Sequence, residues 1–264
     1  MTSDLVQHYS TTSEGDRQFR SAHGRLEFLR TQQLVRRVLT SPVSVLDVGG
    51  GTGVHARWLA ADGHSVHLVD PVPGHIDTAA DLPGVTAQVG DARRLPTADN
   101  SVDAVVMLGP LYHLTDSADR TSALREAVRV LRPGGILIAA AISRYLSALE
   151  SGANGSLDDT LTPSVRKVIA TGEYDGHVGF MPTHWHTADE LRSEVHAAGL
   201  VDVQVYGIEG PAWMALDQVG PGIDQALMTA ALRCAHLLEQ DPRIIDTSAH
   251  VLAIARTADR IAST

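Results

Sequence analysis

The fold is decided by the stretch Leu46-Asp47-Val48-Gly49-Gly50-Gly51-Thr52-Gly53, which follows a short apolar run and opens a helix-forming segment. Glycines let the main chain turn sharply and let a ligand approach the backbone closely. The first N–H groups of the following helix have no partner within that helix, so they face the same ligand. The stretch is therefore typical of a strand–turn–helix unit that binds a nucleotide-like molecule.

Apolar runs and helical segments alternate on both sides of this turn. The runs predict seven strands, at residues 43–48, 66–69, 85–89, 102–108, 136–142, 200–206 and 250–255. Between the fourth and fifth, apolar residues recur at the spacing of one helix face. Strands that alternate with helices form a parallel sheet covered on both faces. We therefore predict an α/β fold with a doubly wound, mostly parallel sheet, whose ligand lies beyond the carboxyl ends of the strands.

Composition excludes several classes of protein. The 264 residues carry 31 acidic and 21 basic side chains, a formal charge of −10, which disfavours binding to nucleic acid. Cys234 is the only cysteine, which excludes a disulfide scaffold and a zinc site built on several thiolates. No secretory signal or membrane-spanning run is visible. We expect a cytoplasmic protein, a monomer or homodimer, that binds neither nucleic acid nor membrane.

Three carboxylates narrow the choice of ligand. Asp70 ends the second strand, 19 residues after Gly51, where it can accept hydrogen bonds from ribose hydroxyls. Asp47 lies beside the glycines, where it would repel the pyrophosphate of a nicotinamide dinucleotide but attract the α-ammonium of S-adenosylmethionine. Asp91 follows the third strand and could accept the adenine amino group. S-adenosylmethionine is favoured, and an NAD(P)-dependent oxidoreductase remains the alternative.

One further motif, Leu131-Arg132-Pro133-Gly134-Gly135, precedes the fifth strand. Over residues 43–142 the chain resembles the class I S-adenosylmethionine-dependent methyltransferases, particularly their ubiquinone-biosynthesis-like small-molecule group. The resemblance implies a Rossmann-like sheet of seven strands with the last antiparallel. It also implies methyl transfer to an O, N or C nucleophile of a small molecule, with S-adenosylhomocysteine as product. A protein that binds S-adenosylmethionine without methyl transfer is a second alternative.

The resemblance also implies which residues bind the cofactor. Asp47 and the glycines would line its methionine end, Asp70 its ribose, Asp91 and Ala92 its adenine, while Leu108 and Gly109 would lie beneath it. The full set expected to bind the cofactor is Asp47, Gly49, Gly50, Gly51, Gly53, Asp70, Pro71, Asp91, Ala92, Leu108, Gly109 and Tyr9.

The acceptor side is less defined. His113 is the leading catalytic candidate, because it follows the fourth strand and histidine titrates near neutrality; Tyr112 is the second candidate. Here the chain reads Gly109-Pro110-Leu111-Tyr112-His113, which departs from the Asn/Asp-Pro-Pro-aromatic motif frequent in methyltransferases of DNA bases and protein amides. A small-molecule acceptor is therefore favoured.

Histidines elsewhere raise the question of a metal. In an extended His184-Trp185-His186, both imidazoles would point to one side, where His177 or Glu209 could complete a metal site. Thirteen histidines are scattered through the chain, so some fall close together by chance. We therefore expect no metal, and interpret His184 and His186 as an edge of the substrate pocket, with Trp213 after the sixth strand also lining it.

We expect one domain over residues 1–264. A long, locally basic amphipathic helix is predicted over residues 17–39, and residues 1–40 would form a lid over the cofactor. Residues 143–180, interpreted as irregular, and residues 210–246 would be insertions that wall the acceptor pocket. The lid candidates are Tyr9, Phe19, Arg20, Arg25 and Phe28; of these Arg25 and Phe28 would contact substrate, the arginine attracting an anionic acceptor.

Overall fold

A central sheet organises the computed structural model, which describes residue 9, residues 21–217 and residues 225–259. Residues 1–8 and 10–20 of the expected lid, which include Phe19 and Arg20, and residues 218–224 of the second insertion lie outside the described residues. The strands are β1 (Ser44–Val48), β2 (Ser65–Asp70), β3 (Val85–Val89), β4 (Val102–Met107), β5 (Leu131–Ile142), β6 (Glu173–Tyr174), β7 (Thr183–His184), β8 (Val201–Gly207) and β9 (His250–Arg256).

Seven of these strands form one sheet in the order β3-β2-β1-β4-β5-β9-β8. The pairs from β3 to β5 are parallel, whereas β9 runs antiparallel to both of its neighbours. This confirms the α/β fold expected from the sequence, including its antiparallel last strand. β6 and β7 form a separate antiparallel pair, too short to give a strand pattern in the sequence.

The helices are α1 (Ala22–Val38), α2 (Val54–Ala61), α3 (Pro73–Ala80), α4 (Pro110–His113), α5 (Ser117–Val130), α6 (Leu146–Asn154), α7 (Thr162–Thr171), α8 (Ala188–Ala197), α9 (Trp213–Asp217) and α10 (Gln225–Leu238). None of these helices combines the length and the apolar character that crossing a membrane requires.

Alternate residues of each strand face opposite sides of the sheet, and both sides are covered. Val106 and Ile138 pack in a cluster with Leu34 of α1 and Leu59 of α2. Their neighbours on β4 and β5 face the other way, into a cluster that includes residues of α5 and α8. Burial on both faces explains why most residues of the central strands are apolar.

Residues 143–180 are more regular than the sequence indicates, because they contain α6, α7 and the β6–β7 pair. The glycines that indicated irregular structure instead end helices. Gly155 caps α6 and Gly172 caps α7, both at φ +77° in the left-handed region that glycine adopts without strain.

Candidate cofactor and acceptor site

A cavity of about 420 Å³ opens at the carboxyl edge of the parallel strands. It brings together most of the expected cofactor residues and some of the expected acceptor residues. Those that line it are Tyr9, Asp47, Gly49, Gly50, Gly51, Asp70, Pro71, Leu108, Gly109, Tyr112, His113 and Trp213.

The glycine turn places bare backbone against this cavity. Gly49 and Gly51 have φ of +68° and +57°, in the left-handed region. A Cβ atom on Gly49 would lie 2.7 Å from Cγ of Pro110, and one on Gly50 would lie 2.7 Å from Oδ2 of Asp47. The turn therefore needs glycine at residues 49 and 51 for the backbone conformation, and at residues 49 and 50 because a Cβ atom would lie too close to neighbouring side chains.

Asp47 is a buried carboxylate beside the glycine turn. Its side chain lines the cavity at 2% exposure, and Oδ2 has no hydrogen-bond partner among the described residues. Burial, and secondarily the charge of Asp70, raise the pKa of Asp47 to about 7. A cationic group beside Oδ2 would satisfy this carboxylate, and the α-ammonium of S-adenosylmethionine has that chemistry.

Asp70 joins the end of β2 to the glycine turn. Its Oδ2 accepts from the Gly51 N–H at 2.9 Å, and its Oδ1 accepts from the Val72 N–H at 2.9 Å and lies 3.0 Å from Nδ1 of His75. A carboxylate offers about four lone-pair sites. Three are used here, so one remains, on Oδ2, for a ribose hydroxyl.

Three of the expected cofactor residues do not line the cavity. The carboxylate of Asp91 pairs with Arg93 at 2.6 Å, and Ala92 is buried in the core beneath α5. Gly53 caps the start of α2 and faces the side chain of Leu82. Their roles stay predictions; Val72 and His75, which the sequence analysis did not single out, line the cavity instead.

His113 is the last residue of α4, and its ring has several aromatic neighbours. Its Nε2 lies 2.8 Å from the hydroxyl of Tyr9, and its ring centre lies 4.6 Å from that of Tyr112 and 5.8 Å from that of Phe180. The position after β4 thus carries an imidazole held by a phenol at the cavity wall.

The His184 and His186 side chains share one side of the extended segment, as expected, with ring centres 4.6 Å apart. Neither lines the cavity; Trp185, between them, does. His184 pairs with Glu190 at 3.1 Å, and buried His186 pairs with Glu194 at 3.2 Å.

The far end of the cavity is built from residues distant in sequence. α1 presents His23, Glu27 and Thr31, which lie four apart on one helix face. Arg25, between them, is exposed and Phe28 packs against the ring of His55, so neither of these expected substrate contacts reaches the cavity. The four-residue spacing in α1 is the signal that would have identified the lining residues.

Acidic and imidazole groups cluster at this end. Burial would lower the pKa of His23, but its hydrogen bond with Asp217 and the nearby charge of Glu209 outweigh that effect and raise the pKa to about 10. Burial, followed by the charge of Asp217, raises the pKa of Glu150. Glu209 is wholly buried beside His250 rather than beside His184 and His186, the grouping considered from the sequence.

Comparison with known proteins agrees with this geometry. Residues 46–139 match the family described as methyltransferase domain. An uncharacterized methyltransferase of Mycobacterium tuberculosis is 45% identical over 94 residues, 35% of this chain and 37% of that protein. The chain thus spans little more than a third of that relative's length. A demethylmenaquinone methyltransferase of Mycolicibacterium vanbaalenii is 31% identical over 170 residues, 63% of this chain and 72% of that protein.

The fold has a counterpart among solved structures. A structure from Thermotoga maritima, described as a SAM-dependent methyltransferase and possible histamine N-methyltransferase, superposes with a TM-score of 0.59. It is 20% identical, and the match covers 96% of this chain and 97% of that one. This likeness concerns the fold, whereas the 31% identical relative shows the family. The chain belongs to the S-adenosylmethionine-dependent methyltransferases.

Proposed function

We propose that the protein transfers a methyl group from S-adenosylmethionine to a nucleophilic O, N or C atom of a small molecule. The observation that carries this proposal is the cavity that runs from the glycine turn, with Asp47 and Asp70, to the group around His113. One end has the donors and carboxylates that suit the cofactor. The other end is walled by side chains that can orient an acceptor.

In the cofactor half, two carboxylates and the backbone of the glycine turn would bind S-adenosylmethionine. Asp47 would hold the α-ammonium, Asp70 one ribose hydroxyl, and the turn from Gly49 to Gly51 would pass beneath the methionine end. When bound, S-adenosylmethionine supplies a methyl group on a positively charged sulfur, which is a good leaving group. The protein's remaining tasks are to align the nucleophile and to exclude water.

The acceptor half is largely aromatic. Tyr174 and Trp185 stack with ring centres 4.2 Å apart, and both line the cavity together with Tyr112, Phe180 and Trp213. Flat aromatic side chains pack well against another ring. This supports an acceptor that contains a ring, and the relatives named demethylmenaquinone methyltransferase are consistent with it.

Proton removal is assigned to His113. Its Nε2, which lies 2.8 Å from the hydroxyl of Tyr9 in the free protein, would accept a proton from an acceptor hydroxyl or amine that takes the place of the Tyr9 hydroxyl. Until the acceptor binds, Tyr9 would hold the orientation of the His113 ring, and its position in the cavity wall supports the proposal that residues 1–40 form a lid.

An anionic acceptor drawn by arginine is not part of this proposal. Among the described residues that line the cavity there is no arginine or lysine, whereas Glu27, Glu150 and Asp217 are present. A nicotinamide-dependent reaction is also left out, because buried Asp47 beside the glycine turn would repel a pyrophosphate bound there.

Methyl-labelled S-adenosylmethionine tests the proposal directly. The protein is incubated with the labelled cofactor and with separate panels of hydroxylated quinone precursors, phenols and amines, and S-adenosylhomocysteine is quantified by mass spectrometry. Label on one panel member supports the proposal. Cofactor binding by calorimetry without product from any panel would favour a binding protein, and binding of NADH in place of S-adenosylmethionine would contradict the proposal.

A further inference from the structure

Glu209 lies just after β8 with 0% exposure, although a carboxylate is costly to bury. Its Oε2 accepts from the hydroxyl of Ser248 at 2.7 Å and from the backbone N–H of His250 at 3.0 Å. Two donors thus fix one oxygen of the carboxylate. The orientation of the other oxygen, Oε1, follows from them.

Oε1 of Glu209 faces two imidazoles. Nδ1 of His250 lies 2.6 Å from it and Nε2 of His23 lies 3.6 Å from it. The three side chains offer ligand atoms that all lie within 4.8 Å of one another. Ligand atoms about 2.1 Å from a tetrahedral zinc ion are about 3.4 Å apart, close to the separation of His23 and Glu209.

His23 is held as metal-binding histidines are held. Its Nδ1 lies 3.2 Å from Oδ1 of Asp217, and its ring stacks on Trp213 at 4.8 Å. A carboxylate on one ring nitrogen orients the other nitrogen toward a metal and makes it a better ligand. That other nitrogen, Nε2, is buried and has no hydrogen-bond partner among the described residues.

The surroundings favour a cation. Glu150 and Asp217 line the same part of the cavity, and the described lining contains neither arginine nor lysine. A second cluster, formed by His184, His186 and Glu194, has comparable separations. There the guanidinium of Arg120 already contacts Glu194 at 2.8 Å, so positive charge is supplied by the chain itself.

We propose that His23, Glu209 and His250 bind a divalent transition-metal ion of the zinc or iron(II) class at the wall of the cavity. Two imidazoles and one carboxylate suit these ions, and three protein ligands leave coordination positions open. Those positions face the cavity, because His23 and His250 both line it. A metal ion would take the place of any proton shared between His250 and Glu209, which now lie 2.6 Å apart.

The ligands come from α1, from the segment after β8 and from the first residue of β9. No local spacing joins them, so no sequence pattern could indicate this group. The metal site is independent of methyl transfer, so a failed metal titration would leave the proposed activity untouched.

Cobalt(II) provides the test, because its visible absorption reports coordination without any activity assay. Full-length protein free of an affinity tag is stripped with a chelator and titrated with Co²⁺, followed by displacement with Zn²⁺. We expect one equivalent to bind and to give ligand-field absorption bands. Absence of such bands, together with absence of binding heat, would overturn the proposal.

Three variants locate the metal. His23→Gln retains a polar side chain at a position that is partly exposed, and it should weaken Co²⁺ binding more than Ser248→Ala does. Ser248→Ala removes one donor that fixes Glu209 and should cost about 10- to 100-fold in affinity.

His184→Asn is the matched control, since it alters the second histidine cluster, and it should leave the titration unchanged. Loss of cobalt binding in this variant but not in His23→Gln would assign the ion to the other cluster and refute the proposal. Circular dichroism of each variant separates loss of the ligand from loss of the fold.

Discussion

The two ends of the cavity are built in different ways. The cofactor end comes mainly from one continuous stretch, in which β1, the glycine turn and β2 bring Asp47 and Asp70 to the same edge of the sheet. The acceptor end comes from α1, α4, α6, α9, residues 174–185 around the β6–β7 pair and the start of β9, whose members are far apart in the chain. A single strand–turn–helix unit defines the first, whereas only the complete sheet assembles the second.

The difference also concerns charge. At the cofactor end, Asp47 has an oxygen without a partner among the described residues. At the acceptor end, carboxylates and imidazoles contact one another, as in the pair of Glu209 with His250. Cofactor binding is therefore expected to depend on a few direct contacts, and acceptor binding on the arrangement of a network.

The largest expected effect is on the chemical step, at His113 of the acceptor end. His113→Asn should lower kcat about 10²- to 10⁴-fold, because a positioned general base contributes that much, while the Kd for S-adenosylmethionine stays the same. Steady-state kinetics and calorimetry measure the two quantities. Tyr9→Phe, which removes the hydroxyl that contacts Nε2, should have a smaller effect. Unchanged kcat in both variants would leave His113 a packing residue.

Asp70 tests the cofactor end. Asp70→Ala removes a carboxylate that holds the turn and would hold the ribose, and hydrogen bonds to charged groups contribute about 1.5–3 kcal/mol each, so the Kd for S-adenosylmethionine should rise about 100-fold. Asp77→Ala, on the exposed side of α3, is the control for calorimetry. An affinity equal to that of the control would remove Asp70 from the site.

Asp47 gives a prediction about protons. Its raised pKa of about 7 means that the carboxyl is mainly protonated at pH 6 in the free protein. A bound ammonium favours the carboxylate, so binding of the cofactor at pH 6 should release nearly one proton, and at pH 8.5 almost none. Calorimetry in buffers of different ionisation enthalpy counts these protons.

Asp47→Asn should abolish the proton release and weaken cofactor binding. The same raised pKa implies that the free protein loses stability as pH rises from about 4, the ordinary pKa of an aspartate, to about 7, where the loss levels off. Thermal unfolding of the free Asp47→Asn variant should therefore change less over that range than unfolding of the wild type. Equal proton release in both proteins would show that another group titrates.

The smallest effect is expected at the surface of α1. Arg25→Ala should change KM by no more than about twofold, the usual scale for an exposed side chain, because Arg25 points away from the cavity. Glu27→Gln, on the cavity side of the same helix, should change KM more. A larger change in KM for Arg25→Ala than for Glu27→Gln would indicate that Arg25 contacts the acceptor.

Sequence patterns were sufficient to predict the sheet and the glycine turn. The sheet depends on local periodicity, and the turn depends on backbone conformations that glycine permits. They were insufficient for the helices of residues 143–180, where Gly155 and Gly172 end helices rather than interrupt loops. They also missed His75, whose contact with Asp70 depends on how α3 begins. His23, Glu209 and His250 meet only through tertiary packing, so no spacing could indicate them.

The order of strands has a consequence for how the chain folds as it is synthesised. β9 lies between β5 and β8 but follows both in the chain. Until β9 is made, the long apolar β5 has an open edge on one side and β8 has no partner. Unpaired strand edges promote aggregation during folding. Insertion of β9 closes both edges and delivers His250 to the cavity, so that completion of the sheet and assembly of the acceptor wall are one event.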